Sequence, residues 1–262
     1  MKNEAGAAGT GGYASVNDLE VYYEIHGDGR PLVLLHGAYM TIDAMGEVVP
    51  ELAGTRQVIA VELQGQGRTA DVDRPLSYER MADDTAALLR HLGIDQADVF
   101  GFSMGGSVAL QIALRHPEVV RKLVVASASY TSDGMQPELH EMIPSITPEA
   151  FAGSPIEEEY LRTAPNPEDF PALVAKLKRL DMEPFAWPPE DMRGSRRLPC
   201  SSSGIPTPSV SSMQWRCFGC SVAARWVTSR ASRSPSSRCS QAPRTSSHPA
   251  AGSSTAPVGS YP

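Results

Sequence analysis

Val99-Phe100-Gly101-Phe102-Ser103-Met104-Gly105-Gly106 decides the reading of this chain. The core of the stretch is G-x-S-x-G. An apolar strand, Gln96-Ala97-Asp98-Val99-Phe100, enters it. A helical pattern, Ser107-Val108-Ala109-Leu110-Gln111-Ile112-Ala113-Leu114-Arg115, leaves it and closes at His116-Pro117. In that context the serine stands on a sharp strand-to-helix turn that lifts its hydroxyl out of the sheet. The flanking glycines are small because backbone passes close by. The pattern alone is weak; the strand on one side and the helix on the other make it specific.

Working outward, Tyr13 to His26 alternates as two short strands turned at Asn17-Asp18. Pro31-Leu32-Val33-Leu34-Leu35 is a continuous apolar run, as expected of a strand buried on both faces, and it ends at His36-Gly37-Ala38. Ile42, Met45, Val48, Val49 and Leu52 recur at helical spacing, and Gln57 to Val61 is another buried strand. Ser77 is placed to cap a helix carrying Met81, Leu88, Leu89 and Leu92, with Gly93 at its end. Lys122 to Ala126 makes a sixth strand. Strands alternating with helices predict an α/β fold with a doubly wound, mostly parallel sheet. From Tyr130 to Trp187 the chain is broken at Pro137, Pro144, Pro148, Pro155, Pro165, Pro167 and Pro171 into short helical pieces, read as a small helical lid. There Met142, Ile146, Phe151, Tyr160, Phe170, Phe185 and Trp187 are expected in the lid core, and Glu157-Glu158-Glu159 are expected to face outward.

Composition divides the 262 residues in two. All 30 acidic residues lie at or before Asp191. After Arg193 there is no Asp, Glu or Lys, but eight Arg, nineteen Ser and all four Cys. The formal net charge of −7 therefore hides about −15 before that point and +8 after it. We read residues 1–12 as a disordered start, 13–129 as the α/β core, 130–193 as the lid and return, and 194–262 as an aberrant, disordered Ser/Arg/Pro-rich tail. Cys217-Phe218-Gly219-Cys220 lacks a second pair at zinc spacing and a βαβ context, so no metal site is expected from it. No apolar run approaches the ~18 residues of a membrane span and no leader is apparent, which suggests a cytoplasmic protein. The acidic balance before residue 194 disfavours nucleic acid as a partner.

Residues 13–193 resemble the α/β-hydrolase fold family, in particular its lidded serine esterase- and peptidase-like members. The residues that carry this resemblance are His36-Gly37-Ala38, Gly65-Gln66-Gly67-Arg68-Thr69, Gly101-Phe102-Ser103-Met104-Gly105-Gly106 and Arg115-His116-Pro117-Glu118-Val119-Val120. The resemblance implies Ser103 as nucleophile and the backbone N–H groups of Ala38 and Met104 as oxyanion hole. It implies a supporting role for His36, no cofactor, and a small ester or related acyl compound as substrate. Serine at position 103 argues against epoxide-hydrolase or dehalogenase chemistry, which in this family uses aspartate. A cofactor-free perhydrolase would use the same triad. One departure is Glu62-Leu63-Gln64-Gly65-Gln66-Gly67, where the family carries Asp, Arg and His in place of Glu62, Gln64 and Gln66. His26, His91 and His140 read as surface or packing residues.

The family's acid follows its seventh strand in a Gly-Asp-x-Asp turn, and its base comes late in a Gly-x-x-His turn. Neither is written here. No carboxylate follows Asp191, and the one late histidine, His248 in Ser247-His248-Pro249, is a poor candidate base. The genetic code offers an explanation. Read from the third base of each codon, Pro199-Cys200-Ser201-Ser202-Ser203 gives N-TG, Y-TC, N-TC and N-TC if the serines are TCN-coded. Those codons encode only apolar residues. The following codons, through Thr207, permit G-D-S-D, and Arg238 to Thr245 permit L-L-P-G-T-T-H in the same offset. We therefore expect a frame-shifted C-terminus from about Gly194. Its consequence would be two absent C-terminal strands, an exposed edge on the sixth strand and poor solubility. The rival reading is a catalytically dead hydrolase-fold protein.

Overall fold

The computed structural model describes residues 9–187 and the backbone of two strands, Gln214–Cys217 and Cys220–Arg225. Strands β1 (Thr10–Val16) and β2 (Leu19–His26) form an antiparallel hairpin. Asn17 and Asp18 take the turn with φ of 47° and 64°, the left-handed geometry that tightens a two-residue hairpin. β1 begins at Thr10, earlier than the composition of residues 1–12 suggests. Backbone pairing continues through Gly11 and Gly12 opposite Glu24 and Tyr23, and the Tyr22 and Tyr23 side chains lie over the two glycines.

Four parallel strands follow: β3 (Arg30–Leu35), β4 (Arg56–Val61), β5 (Ala97–Phe102) and β6 (Val120–Ala126). The sheet order is β1-β2-β4-β3-β5-β6, so the chain reverses direction of travel between β3 and β5, at the centre. Alternating residues explain why both faces must be covered. Val33, Leu35, Ile59, Val61 and Val99 share a core with α2 (Tyr78–His91) and α3 (Met104–Arg115). Leu32, Leu34, Val58, Ala60 and Phe100 face a second core with α1 (Val48–Ala53). This is the doubly wound α/β fold expected.

The helix ends follow local chemistry. The Ser77 hydroxyl accepts from the Arg80 N–H at 3.1 Å at the start of α2. At its end Gly93 (φ 68°) lets Ile94 N–H reach Leu89 O and its own N–H reach Arg90 O, a Schellman close. The helical pattern from Ile42 to Leu52 is interrupted. A 3-10 turn at Asp43–Met45 and α1 are separated by Gly46 at φ 51°, although all five apolar residues are buried as the spacing requires.

Between Tyr130 and Trp187 lie α4 (Pro137–Met142), α5 (Pro155–Thr163) and α6 (Phe170–Met182). The excursion closes on itself: Trp187 N–H donates to Tyr130 O and Ser132 N–H to Phe185 O, both at 2.9 Å. Tyr160, Phe170 and Trp187 are buried, and Ile146, Phe151 and Phe185 pack against them. Met142 does not join them. It is 51% exposed, because its short helix α4 buries no side chain at all.

The expected bare edge on β6 is corrected in part. β7 (Gln214–Cys217) pairs antiparallel with β6 at Val125–Arg216 and Ala126–Trp215, and β8 (Cys220–Arg225) pairs with β7. The tail thus contributes strands, but antiparallel ones. Between β7 and β8 the two intervening residues are too few for the crossover a parallel pair needs. The remainder of the tail reading lies outside the described residues.

Candidate active site

The site is assembled at the C-terminal ends of β3 and β5, where sheets of this kind place their ligands. Ser103 stands between β5 and α3 with φ 52° and ψ −119°, a conformation that costs an L-residue about 1–3 kcal/mol. The fold holds it there from three sides. Ser103 N–H donates to Ala126 O on β6 at 2.8 Å, and the Gly106 and Ser107 amides donate back to Ser103 O at 2.8 and 3.2 Å. Close approach explains the glycines. A Cβ on Gly105 would sit 2.5 Å from the carbonyl oxygens of Leu35 and His36, and one on Gly101 would strike the Gly105 carbonyl. Among the described residues Ser103 Oγ takes part in no hydrogen bond, and Met104 N–H, at the first helical position, has no acceptor within the helix.

The loop after β3 runs against this turn. A Cβ on Gly37 would lie 3.3 Å from Ser103 Cβ, which puts Ala38 beside the serine. His36 fixes the loop. It is buried, its Nε2 accepts from Leu63 N–H at 3.1 Å, and its Nδ1 therefore donates to Gly37 O at 2.7 Å. Burial lowers its pKa to about 4, so the ring stays neutral with both nitrogens occupied. It has no free nitrogen to take a proton from Ser103.

The substituted turn after β4 is held by a buried ion pair. Glu62 is fully buried and accepts from Ile42 N–H, Arg68 N–H and the Arg68 guanidinium, the last at 2.8 Å. Gly67 (φ 57°) is required because a side chain there would overlap that carboxylate. Arg68 continues to Asp43 at 3.1 Å and Asp43 to Arg162 of α5 at 3.0 Å. Arg162 in turn grips Glu159, which also accepts from Thr41 at 3.0 Å. Glu159 is therefore turned inward, unlike its neighbour Glu158, because Thr41 and Arg162 hold it. Sequence spacing carries no signal for this network, which joins residues more than a hundred positions apart.

Gln66 is buried with its amide Nε2 4.0 Å from the Met104 sulfur, and Oε1 has no partner. Asp181 of α6 is partly buried without a hydrogen bond among the described residues, and burial raises its pKa to about 6. It was not foreseen as a site residue.

The remaining described histidines are placed elsewhere. His116 pairs with Asp83 at 2.7 Å, but it lies beyond the far end of α3, about 18 Å along the helix from Ser103. His26 pairs with Glu24 at 2.8 Å and sits opposite Val58, towards the N-terminal end of β4. His91 and His140 are exposed. His248 lies outside the described residues. No cluster of metal-ligating side chains occurs among the described residues.

Known proteins agree with this architecture. The model of the alpha/beta hydrolase fold family matches residues 30–177, more than half of the chain. The 2-hydroxymuconate semialdehyde hydrolase of a Pseudomonas species is 38% identical over 110 residues, 40% of this chain and 39% of that protein. The pimeloyl-[acyl-carrier protein] methyl ester esterase of Yersinia enterocolitica is 34% identical over 149 residues, 55% of this chain and 53% of that protein. This chain thus spans about half or less of those relatives' length. A Bacillus subtilis protein of known structure shares the fold with a TM-score of 0.54 at 19% identity, covering 73% of this chain and 72% of that one. With the Ser103 turn, the crossed sheet and the family match in agreement, the chain belongs to the α/β-hydrolase fold family.

Proposed function

We propose that this chain carries the nucleophile half of a serine hydrolase acting on a small ester or related acyl compound. The observation that carries this reading is the backbone of Ser103, strained at φ 52° with its hydroxyl unbonded. Ser103 Oγ would attack the acyl carbon, and the Ala38 and Met104 N–H groups would receive the developing oxyanion. The positive end of α3 favours that charge. The serine proton passes to a base and then to the departing alcohol; water reverses the sequence and frees the acid. The α4–α6 excursion acts as a lid over the acyl group. The substrate is a small molecule, no nucleic acid or cofactor is involved, and the compartment is the cytoplasm. No described helix is long and apolar enough to cross a membrane.

The base and its carboxylate are the missing half. None of the described histidines is placed to serve, and no carboxylate follows Asp191. We assign both to the shifted reading frame after about Gly194, so that the chain as written is inactive or nearly so. Sequencing the gene around codon 194 tests the frame directly. The nucleophile is tested with p-nitrophenyl acetate on a frame-restored protein. A stoichiometric burst of p-nitrophenol lost in Ser103→Ala supports the acyl-serine step, and turnover that persists in Ser103→Ala refutes it.

A further inference from the structure

The loop after β3 carries Ala38 and runs on to Asp43, and the α4–α6 excursion meets it at every second residue. The Tyr39 ring packs on Phe151 with centroids 4.9 Å apart. The Thr41 hydroxyl donates to the Glu159 carboxylate of α5 at 3.0 Å. Asp43 accepts from the Arg162 guanidinium, also of α5, at 3.0 Å. Glu159 and Arg162 stand three residues apart on that helix and bind each other at 2.7 Å, so they act as one grip.

Tyr39 shows why the loop needs gripping. It directly follows Ala38, and its φ of 59° lies in the left-handed region that a bulky L-residue avoids unless its surroundings impose it. Its Oη is buried with no hydrogen-bond partner among the described residues, so packing holds that side chain. The core holds the loop from the other side, through Glu62 on Ile42 N–H at 3.3 Å and Arg68 on Asp43 at 3.1 Å. The excursion itself is tied down unequally. On α6, Lys176 Nζ donates to Asp71 at 2.6 Å and to the carbonyls of Val72 and Arg74 at 2.9 Å, and both charged side chains of that pair are mostly buried. On α5, the Arg162–Asp43 pair stands open to water, where ion pairs are weak and screened by salt. One edge is fixed and the other can release.

We propose that α5 is a releasable clamp on the oxyanion loop, with Glu159 and Arg162 as positioning residues that hold residues 39–43 in shape only while the lid is seated. With α5 down, the loop is gripped from both sides. With α5 lifted about the Lys176 tether, Glu62 and Arg68 alone remain on it, and Tyr39 is free to leave its strained conformation. The Ala38 N–H is then set for an oxyanion under a closed lid and loosened under an open one. That link to catalysis rests on Ala38 as oxyanion donor; the clamp itself does not.

The test is hydrogen exchange read by mass spectrometry on the full chain. The reporters on the loop are the amides of Ile42, Ala44 and Met45, which donate to Glu62, to the Thr41 hydroxyl and to Ile42 O. Arg162→Met should speed their exchange together with that of α5 by about two- to fivefold, the range of an exposed ion pair. Arg162→Lys, which keeps the positive charge, should restore part of the protection, and Glu158→Gln, at an exposed position of the same helix, should change neither segment. Raising NaCl from about 0.05 to about 1 M should loosen both segments in the wild type and spare α6, which supplies the comparison if Arg162→Met misfolds. Faster exchange in α5 with residues 42–45 unchanged, no change in either segment, or no rescue by lysine overturns the proposal. Failure of Ser103 to react with an acylating probe would leave these exchange rates as they are, so the two readings fail separately.

Discussion

The seam between β3, β5 and α3 and the seam between β6 and β7 lie in one sheet but are built differently. In the first, β5 pairs with β3 from Leu32–Asp98 to Leu35–Gly101, and α3 presses so close that Gly101 and Gly105 cannot bear a side chain. In the second, β6 meets its antiparallel partner, among the described residues, at Val125–Arg216 and Ala126–Trp215. The first seam is specified many times over by apolar strands, glycines and a buried histidine. The second is described by its backbone pairing alone. The residues that shape the Ser103 turn all lie before residue 194, and on the function proposed above the partners that would activate it belong after it.

The comparison can be broken most forcefully at Gly105. A methyl group there meets the Leu35 and His36 carbonyls at 2.5 Å, with no flexible side chain to yield. Gly105→Ala should cost about 3 kcal/mol or more, read as the urea midpoint, with loss of any Ser103 reactivity. A midpoint unchanged within error would mean the turn is loose and the seam is not what holds it.

His36 tests the same seam through pH. Its folded pKa of about 4 lies below the ordinary imidazole value of 6.5, so between those values the unfolded chain binds the extra proton. Stability should therefore fall as pH drops through that window, by about 2 kcal/mol between pH 7 and 5 from this residue. His36→Gln should flatten that part of the profile. A wild-type stability independent of pH there, with the variant identical, would remove His36 from the account.

Asp181 runs the other way. Its folded pKa of about 6 lies above 3.8, so the folded chain holds the extra proton between them, and stability falls as pH rises through that window. Asp181→Asn should raise the melting temperature at pH 8 and leave it unchanged near pH 3.5. A drop at pH 8 would reveal a partner for the carboxylate.

The smallest effect belongs to the second seam. Trp215→Pro removes one N–H from the strand opposite Ala126 and should cost less than about 1 kcal/mol. A loss as large as that of Gly105→Ala would show that the tail strands are integral to the fold.

How much of this was legible in the sequence follows the range of the interactions. The Ser103 turn, the Asn17-Asp18 hairpin and the Gly93 close were readable because each is set by adjacent residues and by backbone geometry that few side chains tolerate. The break at Gly46 was missed because apolar spacing alone reads through a single glycine. The inward turn of Glu159, the exposure of Met142, and the orphaned Gln66 and Tyr39 atoms depend on partners far along the chain. No local pattern encodes them. Glu62 shows the intermediate case: its departure from the family residue was visible, but its buried ion pair with Arg68 was not.

The central claim is that a built nucleophile turn has been separated from its activating base. It is tested most directly by fluorophosphonate labelling of Ser103, followed by mass spectrometry, in the chain as written and in a frame-restored chain. The account predicts no labelling above the Ser103→Ala background in the first, and labelling at Ser103 in the second. Equally fast labelling of Ser103 in both would contradict it.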